Sequence, residues 1–416
     1  MRILAITRTY RVTGGADSYA LAVQAALEAR GHVVIPFAAR HPANRPTPWA
    51  RYFPPDLGFS HYGARDKLRA LVRALSGGPA VRALGRLLEA TPVDVAHVHT
   101  TFHQVMPPAA FALLRRRGVP VVMTVHDYKL VCPTYWQYVA DEDVICRRCG
   151  GRRFYHAALR GCTGRGLGGF LKGVLLALEA YWARWTGAYN SVACFICPSQ
   201  AMRDQLMTYG LAEHRVCQLP YLVAPATGQD LGLTEEDPRL LLFVGRLVPE
   251  KGALWLAQAL AGGPWQLVIV GDGPQRAAIE ALAGQFPNLR CVGWAGPAAV
   301  QVWMRRATAL IVPSLWPENS PMVIYEACAL GLPVIAAQVG GIPELVRDGE
   351  NGLLFARGDA EGLRACLHRL ANEAGLRARL SAGAQAHAAE WSPEHHLERL
   401  LSIYEHAIAA GRAGRE

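Results

Sequence analysis

The sequence predicts a doubly wound α/β protein of two domains, each a parallel sheet with helices on both faces. Three observations predict it. Short apolar, β-branched runs alternate with helix-length amphipathic stretches through the first half of the chain. The same alternation restarts near residue 238. A stretch rich in Pro, Gly and acids, 223–238, lies between the two series. A chain of 416 residues has room for two domains of ordinary size. A composition of 51% hydrophobic and 18% charged residues supplies core material and excludes a disordered or fibrous chain. The expected boundaries are 1–225, 226–392, and a helix at 393–416 that packs back toward the N-terminal domain.

Residues 3–7 form a short apolar run flanked by charge and read as the first strand. A signal peptide would need a longer apolar core and a small-residue cleavage site. A loop with Gly14-Gly15 leads into a helix at 17–30, which Gly31 stops. The next strand is 33–38, and 41–63, rich in Pro and aromatics, reads as loop. Strands at 93–98 and 119–125 bracket a helix near 107–117. A further strand at 193–197 precedes Ser199, a good N-cap. The second series has strands at 240–244, 266–270, 289–292, 309–312 and 333–336, each followed by a helix. Domains of this kind bind ligands outside the carboxyl ends of their strands, and two in tandem create a cleft between sheet edges.

The net charge of +10 is unevenly spread. Residues 1–225 hold 27 basic and 13 acidic residues, a net of +14, and the remainder nets −4. The first half should therefore face an anionic partner. No run approaches the ~20 uninterrupted apolar residues of a spanning helix. The ten cysteines, with no secretory signal, point to a reducing cytoplasm.

The residues that carry chemistry concentrate in the second series. The strand 240–244 runs into Gly245-Arg246 and then Glu250-Lys251-Gly252, which sets two cations beside a helix start, where free amides and the helix dipole favour an anion. The spacing is not that of a Walker A loop. The next strand ends in Gly271-Asp272-Gly273-Pro274. Glu318 follows the strand 309–312. Asn319 or Ser320 is placed to cap the next helix, with Pro321 in its first turn. Glu326 lies one and a half turns into that otherwise apolar helix, where an acid is costly to bury unless paired. Gly340-Gly341-Ile342-Pro343-Glu344 is a glycine loop entering another helix.

With Gly14-Gly15-Ala16-Asp17, Arg30-Gly31-His32 and Thr124-Val125-His126-Asp127 in the first half, this set resembles glycosyltransferase family 4, over nearly the whole chain. The resemblance implies a GT-B fold, two Rossmann-like domains facing across a cleft. It implies an acceptor-binding N-terminal domain and a C-terminal domain that binds a UDP- or GDP-sugar. By the same resemblance Arg246 and Lys251 hold the donor diphosphate, and Glu326 holds the ribose hydroxyls. Glu318 contacts the donor sugar with the backbone of Asn319, Ser320, Pro321 and Met322. The amides near Pro321–Val323 face a donor phosphate, and His126 sits near the reacting sugar. Gly14, Gly15, Gly245 and Gly273 bring backbone close to the donor.

The activity implied is retaining transfer of a hexose or amino-hexose to a glycan or lipid-linked acceptor, in cell-surface polysaccharide assembly. No protein nucleophile is evident, and the departing phosphate oxygen takes the acceptor proton. Arg246 and Lys251 supply the charge that a metal would otherwise bring, so no cofactor is expected for catalysis. Asp141-x-Asp143 lies in a polar loop and reads as a solvated turn. A nucleotide-sugar epimerase of the same fold and a non-catalytic nucleotide-sugar-binding subunit stay open as alternatives. No nucleic-acid partner is expected. Where relatives show an Asn-Gly-Val-Asp-like stretch near residue 219, this chain has Pro220-Tyr221-Leu222-Val223, and Asp17 stands where Glu is commoner.

Two further segments carry expectations. Residues 165–190 give a strongly apolar helix signal inside the basic half. It reads either as a core helix or as a peripheral contact with an anionic membrane, on the inner face of the cell membrane. Cys132, Cys146, Cys149 and Cys162 fall in an arginine-rich, loop-like segment at a spacing that can close a tetrahedral structural zinc site. Cys194, Cys197, Cys217, Cys291 and Cys328 sit in strand or helix patterns and read as small core residues.

Overall fold

The computed structural model describes residues 1–56, 77–101, 104–223 and 238–413. The loop expected at 41–63 lies partly outside them, as does most of the linker. Two compact units are present. The first comprises Met1–Gln137, Arg147–Leu222 and Pro393–Glu416, and the second comprises Tyr138–Cys146 and Val223–Ser392.

The first unit is built on a six-stranded sheet, ordered β2-β1-β3-β4-β7-β8. Its strands are β1 (Arg2–Ile6), β2 (Val33–Phe37), β3 (Val95–Val98), β4 (Val121–Thr124), β7 (Val192–Cys197) and β8 (Val216–Gln218). All neighbours run parallel. β3 and β4 are buried along their whole length, which is why they read as continuous apolar runs rather than alternating ones. Chain order reverses between β1 and β3, so the loops that leave β1, β3 and β4 converge at one end of the sheet. Ser199 caps its helix as expected, its hydroxyl accepting from the Met202 amide. The helix Pro393–Ala413 belongs to this unit, and Tyr404 on it is fully buried.

The second unit repeats the plan in the order β11-β10-β9-β12-β13-β14. Its strands are β9 (Leu240–Val244), β10 (Gln266–Val270), β11 (Leu289–Gly293), β12 (Ala309–Val312), β13 (Val334–Ala337) and β14 (Gly352–Phe355). These are again parallel. The edge strand β14 is absent from the sequence-based series; it opens on Gly352 and carries no β-branched residue. Here the order reverses between β9 and β12.

The second unit also takes a piece of chain from inside the range expected for the first domain. A two-stranded hairpin, β5 (Tyr138–Val139) with β6 (Val144–Ile145), groups with residues 223–392. Asp143 at its turn adopts φ +49 and pairs with Arg357 at 2.6 Å. Arg357 also donates to the Asp143 carbonyl at 3.0 Å and to the Leu315 carbonyl at 3.1 Å. Tyr138 donates to Asp143 at 2.8 Å. The turn is exposed, as expected, and Asp143 in addition ties it to Arg357.

The four cysteines expected to hold zinc do not group as a metal site among the described residues. Cys146 lies in the second unit and Cys132, Cys149 and Cys162 lie in the first. None of the four is in a disulfide, and no cluster of three or more metal-ligating side chains forms among the described residues. Cys149 packs with Phe154 and Ala177, Cys132 contacts the Thr134 hydroxyl at 3.2 Å, and Cys162 contacts the His156 carbonyl at 3.9 Å.

Candidate functional site

In the second unit the loops after β9 and β12 leave adjacent strands at the point where chain order reverses. Lys251 comes from the first loop and Glu318 from the second, and they form an ion pair at 2.6 Å. Glu318 is buried, and the same oxygen accepts from the Ser314 hydroxyl at 2.6 Å. Lys251 also lies over the Trp316 ring, 5.3 Å from its centroid. Glu250 is buried beside it, with one carboxylate oxygen lacking a hydrogen-bond donor among the described residues and the Arg246 guanidinium 3.8 Å away. Arg246 itself is half in solvent, so its charge is available to something other than Glu250. The sequence reading missed Ser314 and Trp316, since neither carries a motif. Their signal is position, in the loop that leaves β12.

Glycines let these loops meet. Gly340, with φ +59, lies so close to the Glu318 loop that a Cβ there would stand 2.1 Å from the Glu318 carbonyl oxygen, and the Gly341 amide donates to that carbonyl at 2.7 Å. The loops of Gly245 and Gly273 are tied by hydrogen bonds from Gly245 to Val270 at 3.0 Å and from Leu247 to Asp272 at 2.9 Å. Asn319, Ser320 and Pro321 are buried, and Met322 and Val323 are half-buried. The expected side-chain cap is absent. Pro321 occupies the cap position of the helix Met322–Ala329, and the Ser320 hydroxyl pairs with Tyr325 at 2.7 Å instead. The first amides of that helix are therefore uncapped and point outward at its start.

Glu326 escapes the cost of burial. Its side chain is open to solvent, although protein surrounds it closely enough for desolvation to push its carboxyl up to about 7. It has no hydrogen bond or ion pair among the described residues.

In the first unit, Gly14 is extended and opens the helix Gly15–Ala29 without a side-chain cap. Asp17 in its first turn accepts from the Thr13 amide at 3.2 Å and from the Thr13 hydroxyl, and burial raises its carboxyl. His126 follows β4 and has both ring nitrogens engaged, Nδ1 with the Tyr221 hydroxyl at 2.6 Å and Nε2 with His99 Nδ1 at 3.1 Å. Tyr19 packs edge-on against it and pairs with His396 at 3.0 Å. His97 bridges Tyr404 at 2.6 Å and Thr124 at 2.7 Å. Burial pushes His97 and His126 down to about 3 and His396 to about 4, and His99 lies well below its usual value. The cluster is therefore neutral near pH 7. Its members His97, His99, Tyr221, His396 and Tyr404 come from three distant stretches of chain, so only His126 was legible as a motif.

Comparison with known proteins fits this arrangement. The model of "Glycosyltransferase Family 4" matches residues 13–225, and that of "Glycosyl transferases group 1" matches 238–373. A D-inositol 3-phosphate glycosyltransferase of Acidothermus cellulolyticus is 37% identical over 194 residues, which are 42% of this chain and 43% of that protein. An uncharacterized glycosyltransferase of Methanocaldococcus jannaschii is 28% identical over 212 residues, 50% of this chain and 58% of its own. The chain spans about half the length of the curated relatives it matches. Among solved structures, sucrose-phosphate synthase from Thermosynechococcus elongatus superposes with a TM-score of 0.72 at 21% identity, over 98% of this chain and 99% of its own. The Anabaena HepE protein in complex with UDP and glucose superposes with a TM-score of 0.59 at 18% identity, over 97% and 99%. At these identities the likeness establishes the fold, two Rossmann-like domains of the GT-B type. With one family model covering more than half the sequence and the other covering most of the second unit, the chain belongs to glycosyltransferase family 4.

Proposed function

We propose that the protein is a retaining glycosyltransferase. It moves a hexose or amino-hexose from a nucleoside-diphosphate sugar to a glycan or lipid-linked acceptor in the assembly of cell-surface polysaccharide. One observation carries the reading: Lys251 and Glu318 meet at 2.6 Å where chain order reverses, with half-exposed Arg246 on the same loop as Lys251. Similar folds solved with UDP and with UDP-glucose support a nucleotide donor.

The proposed step breaks the bond between the anomeric carbon and the β-phosphate oxygen. Negative charge grows on the leaving diphosphate, and Arg246, Lys251 and the uncapped amides of Met322 and Val323 are placed to stabilise it. The acceptor oxygen attacks from the face that the phosphate leaves, and its proton passes to the departing phosphate oxygen. Glu318 orients the sugar hydroxyls with the oxygen not held by Lys251 and Ser314. Glu326 accepts from the ribose hydroxyls, a task for which its unpaired carboxyl is free. His126 stays neutral because burial pushes it down to about 3, so it adds no positive charge beside an oxocarbenium-like transition state.

The test is to incubate the protein with UDP-glucose, UDP-N-acetylglucosamine and GDP-mannose in turn, with and without glycan and lipid-linked acceptors. Nucleoside diphosphate release and the anomeric configuration of the product are then followed. Acceptor-dependent release with retention is expected. Binding without release would indicate a non-catalytic subunit. Conversion of the donor sugar without release would indicate an epimerase.

A further inference from the structure

The helix Gly166–Trp185 presents its side chains the wrong way round for a helix in water. Its buried residues are small: Gly173, Ala177 and Ala183. Gly173 is seated so closely on the turn His156–Leu159 that a Cβ would stand 2.6 Å from the Ala157 carbonyl oxygen. Its large apolar residues face out. Leu167, Leu171, Leu175, Leu178, Trp182 and Trp185 recur at three- and four-residue steps, a single stripe along the helix. Leu167 is 74% exposed, Leu178 55% and Trp185 84%. The helix is thus not the core helix that its composition allowed. Its stripe is far larger than the scattered apolar residues of an ordinary surface.

Charge in the stretch of chain that carries the stripe is almost all of one sign. Residues 147–190 contain eight Arg or Lys and one acid, Glu179, which Lys129 neutralises at 2.8 Å. Arg147, Arg148, Arg152, Arg153, Arg165 and Lys172 are exposed. At the C-terminal end of the helix, a groove of about 460 Å³ is lined by Arg152, Phe154, Leu178, Tyr181, Trp182 and Trp185. Arg184, beside it, has a buried Nε with no hydrogen-bond partner among the described residues. Trp182 and Trp185 meet edge to face at 5.9 Å, rings of the kind that settle where hydrocarbon meets headgroup. No helix among the described residues is long and apolar enough to cross a bilayer.

We infer that the helix Gly166–Trp185 docks flat on an anionic lipid bilayer. Its leucine–tryptophan stripe enters the boundary between headgroups and acyl chains, and the flanking arginines meet lipid phosphates. A second copy of the chain is a poor occupant, because two such faces would press sixteen positive charges together against two neutralised acids. An apolar peptide would leave the exposed basic residues unmatched. The inference goes beyond glycosyl transfer and stands without it, since lipid capture is measured with no donor present.

The full chain is sedimented with sucrose-loaded vesicles of phosphatidylcholine alone, and of phosphatidylcholine with phosphatidylglycerol, at low and high salt. Capture by the anionic vesicles is expected to be at least about tenfold stronger and to fall with salt. Arg152→Gln with Arg153→Gln should weaken capture about twenty-five-fold, roughly fivefold per charge. Leu171→Ser with Leu178→Ser and Trp185→Ser should abolish it. All of these positions are solvent-exposed, so circular dichroism and the melting temperature should not change and serve as the folding control. Brominated acyl chains should quench tryptophan fluorescence, and Trp182→Phe with Trp185→Phe should remove that quenching. Equal capture by neutral and anionic vesicles would overturn the proposal, as would capture indifferent to the stripe. So would absence of capture together with a concentration-dependent mass that the serine variant relieves.

Discussion

Glu318 spends one oxygen twice, on Lys251 and on Ser314, and that economy makes the pair sensitive to a single substitution. Lys251→Ala leaves a buried carboxylate with one hydroxyl. We expect a loss of about 1–3 kcal/mol in chemical denaturation, below the figure for a fully buried pair because Lys251 is partly exposed. Turnover should fall by orders of magnitude more than the stability loss explains, since the cation also serves the leaving group. Wild-type turnover in Lys251→Ala would remove it from the mechanism. Glu326 carries a second prediction. Its folded carboxyl titrates at about 7 against a usual 4.5, so the free protein loses stability as pH rises from about 4.5 through 7. Glu326→Gln should therefore stabilise the free protein at pH 8, by on the order of 1 kcal/mol once solvent screening is allowed for, and do nothing near pH 4. Donor affinity should move the other way, weakening in the wild type below about pH 7 and staying flat in the variant, as read by calorimetric titration across pH. Residue types were legible here, because Arg246, Lys251, Glu318 and Glu326 stand in motifs. The pairing of Lys251 with Glu318 was not, since the two are 67 positions apart and only the sheet order brings them together.

Elements divide by whether their surroundings are local. The strands at 240–244, 266–270 and 309–312 were legible to the residue, because a strand buried on both faces is a short apolar run whatever packs on it. The helix Gly166–Trp185 was legible as a helix but not in its orientation, since both its faces are apolar and only size separates them. The cysteine segment was legible only as a spacing, which does not show how the chain runs between Cys132 and Cys162, where the hairpin Tyr138–Ile145 intervenes. The Gly340 turn carries a prediction at this scale. Gly340→Ala must move the Glu318 backbone and hold φ +59 with a side chain, together costing about 2–4 kcal/mol. The melting temperature should fall and nucleotide affinity with it. A variant unchanged in both would show that the loops do not press together as described.

Across the molecule, the first unit answers to pH in the opposite sense from Glu326. His97, His99, His126 and His396 are all held below their usual value of 6.5 by burial. The folded state keeps them neutral, while the unfolded chain takes up protons as pH falls through 6.5. Their contribution is therefore complete above about pH 6.5 and is lost progressively toward pH 4 and below. Each ring removes up to about 1.4 kcal/mol per pH unit in that window. Urea midpoints should drop steeply between pH 6.5 and 5, and unfolding near pH 5 should take up about three to four protons, measured by calorimetry in buffers of different ionisation enthalpy. An uptake below one proton would contradict the buried cluster. The chain's path through the two units also sets an order in time. Tyr404, which closes over His97, lies in Pro393–Ala413, and a ribosome makes that helix only after all of the second unit. At 5–20 residues per second the first unit waits about 10–40 s for its closing helix, while the second unit already has every segment it needs. The half of the protein translated first is the half that finishes folding last. A chain truncated after residue 392 should hold the second unit resistant to protease and leave the first open to it.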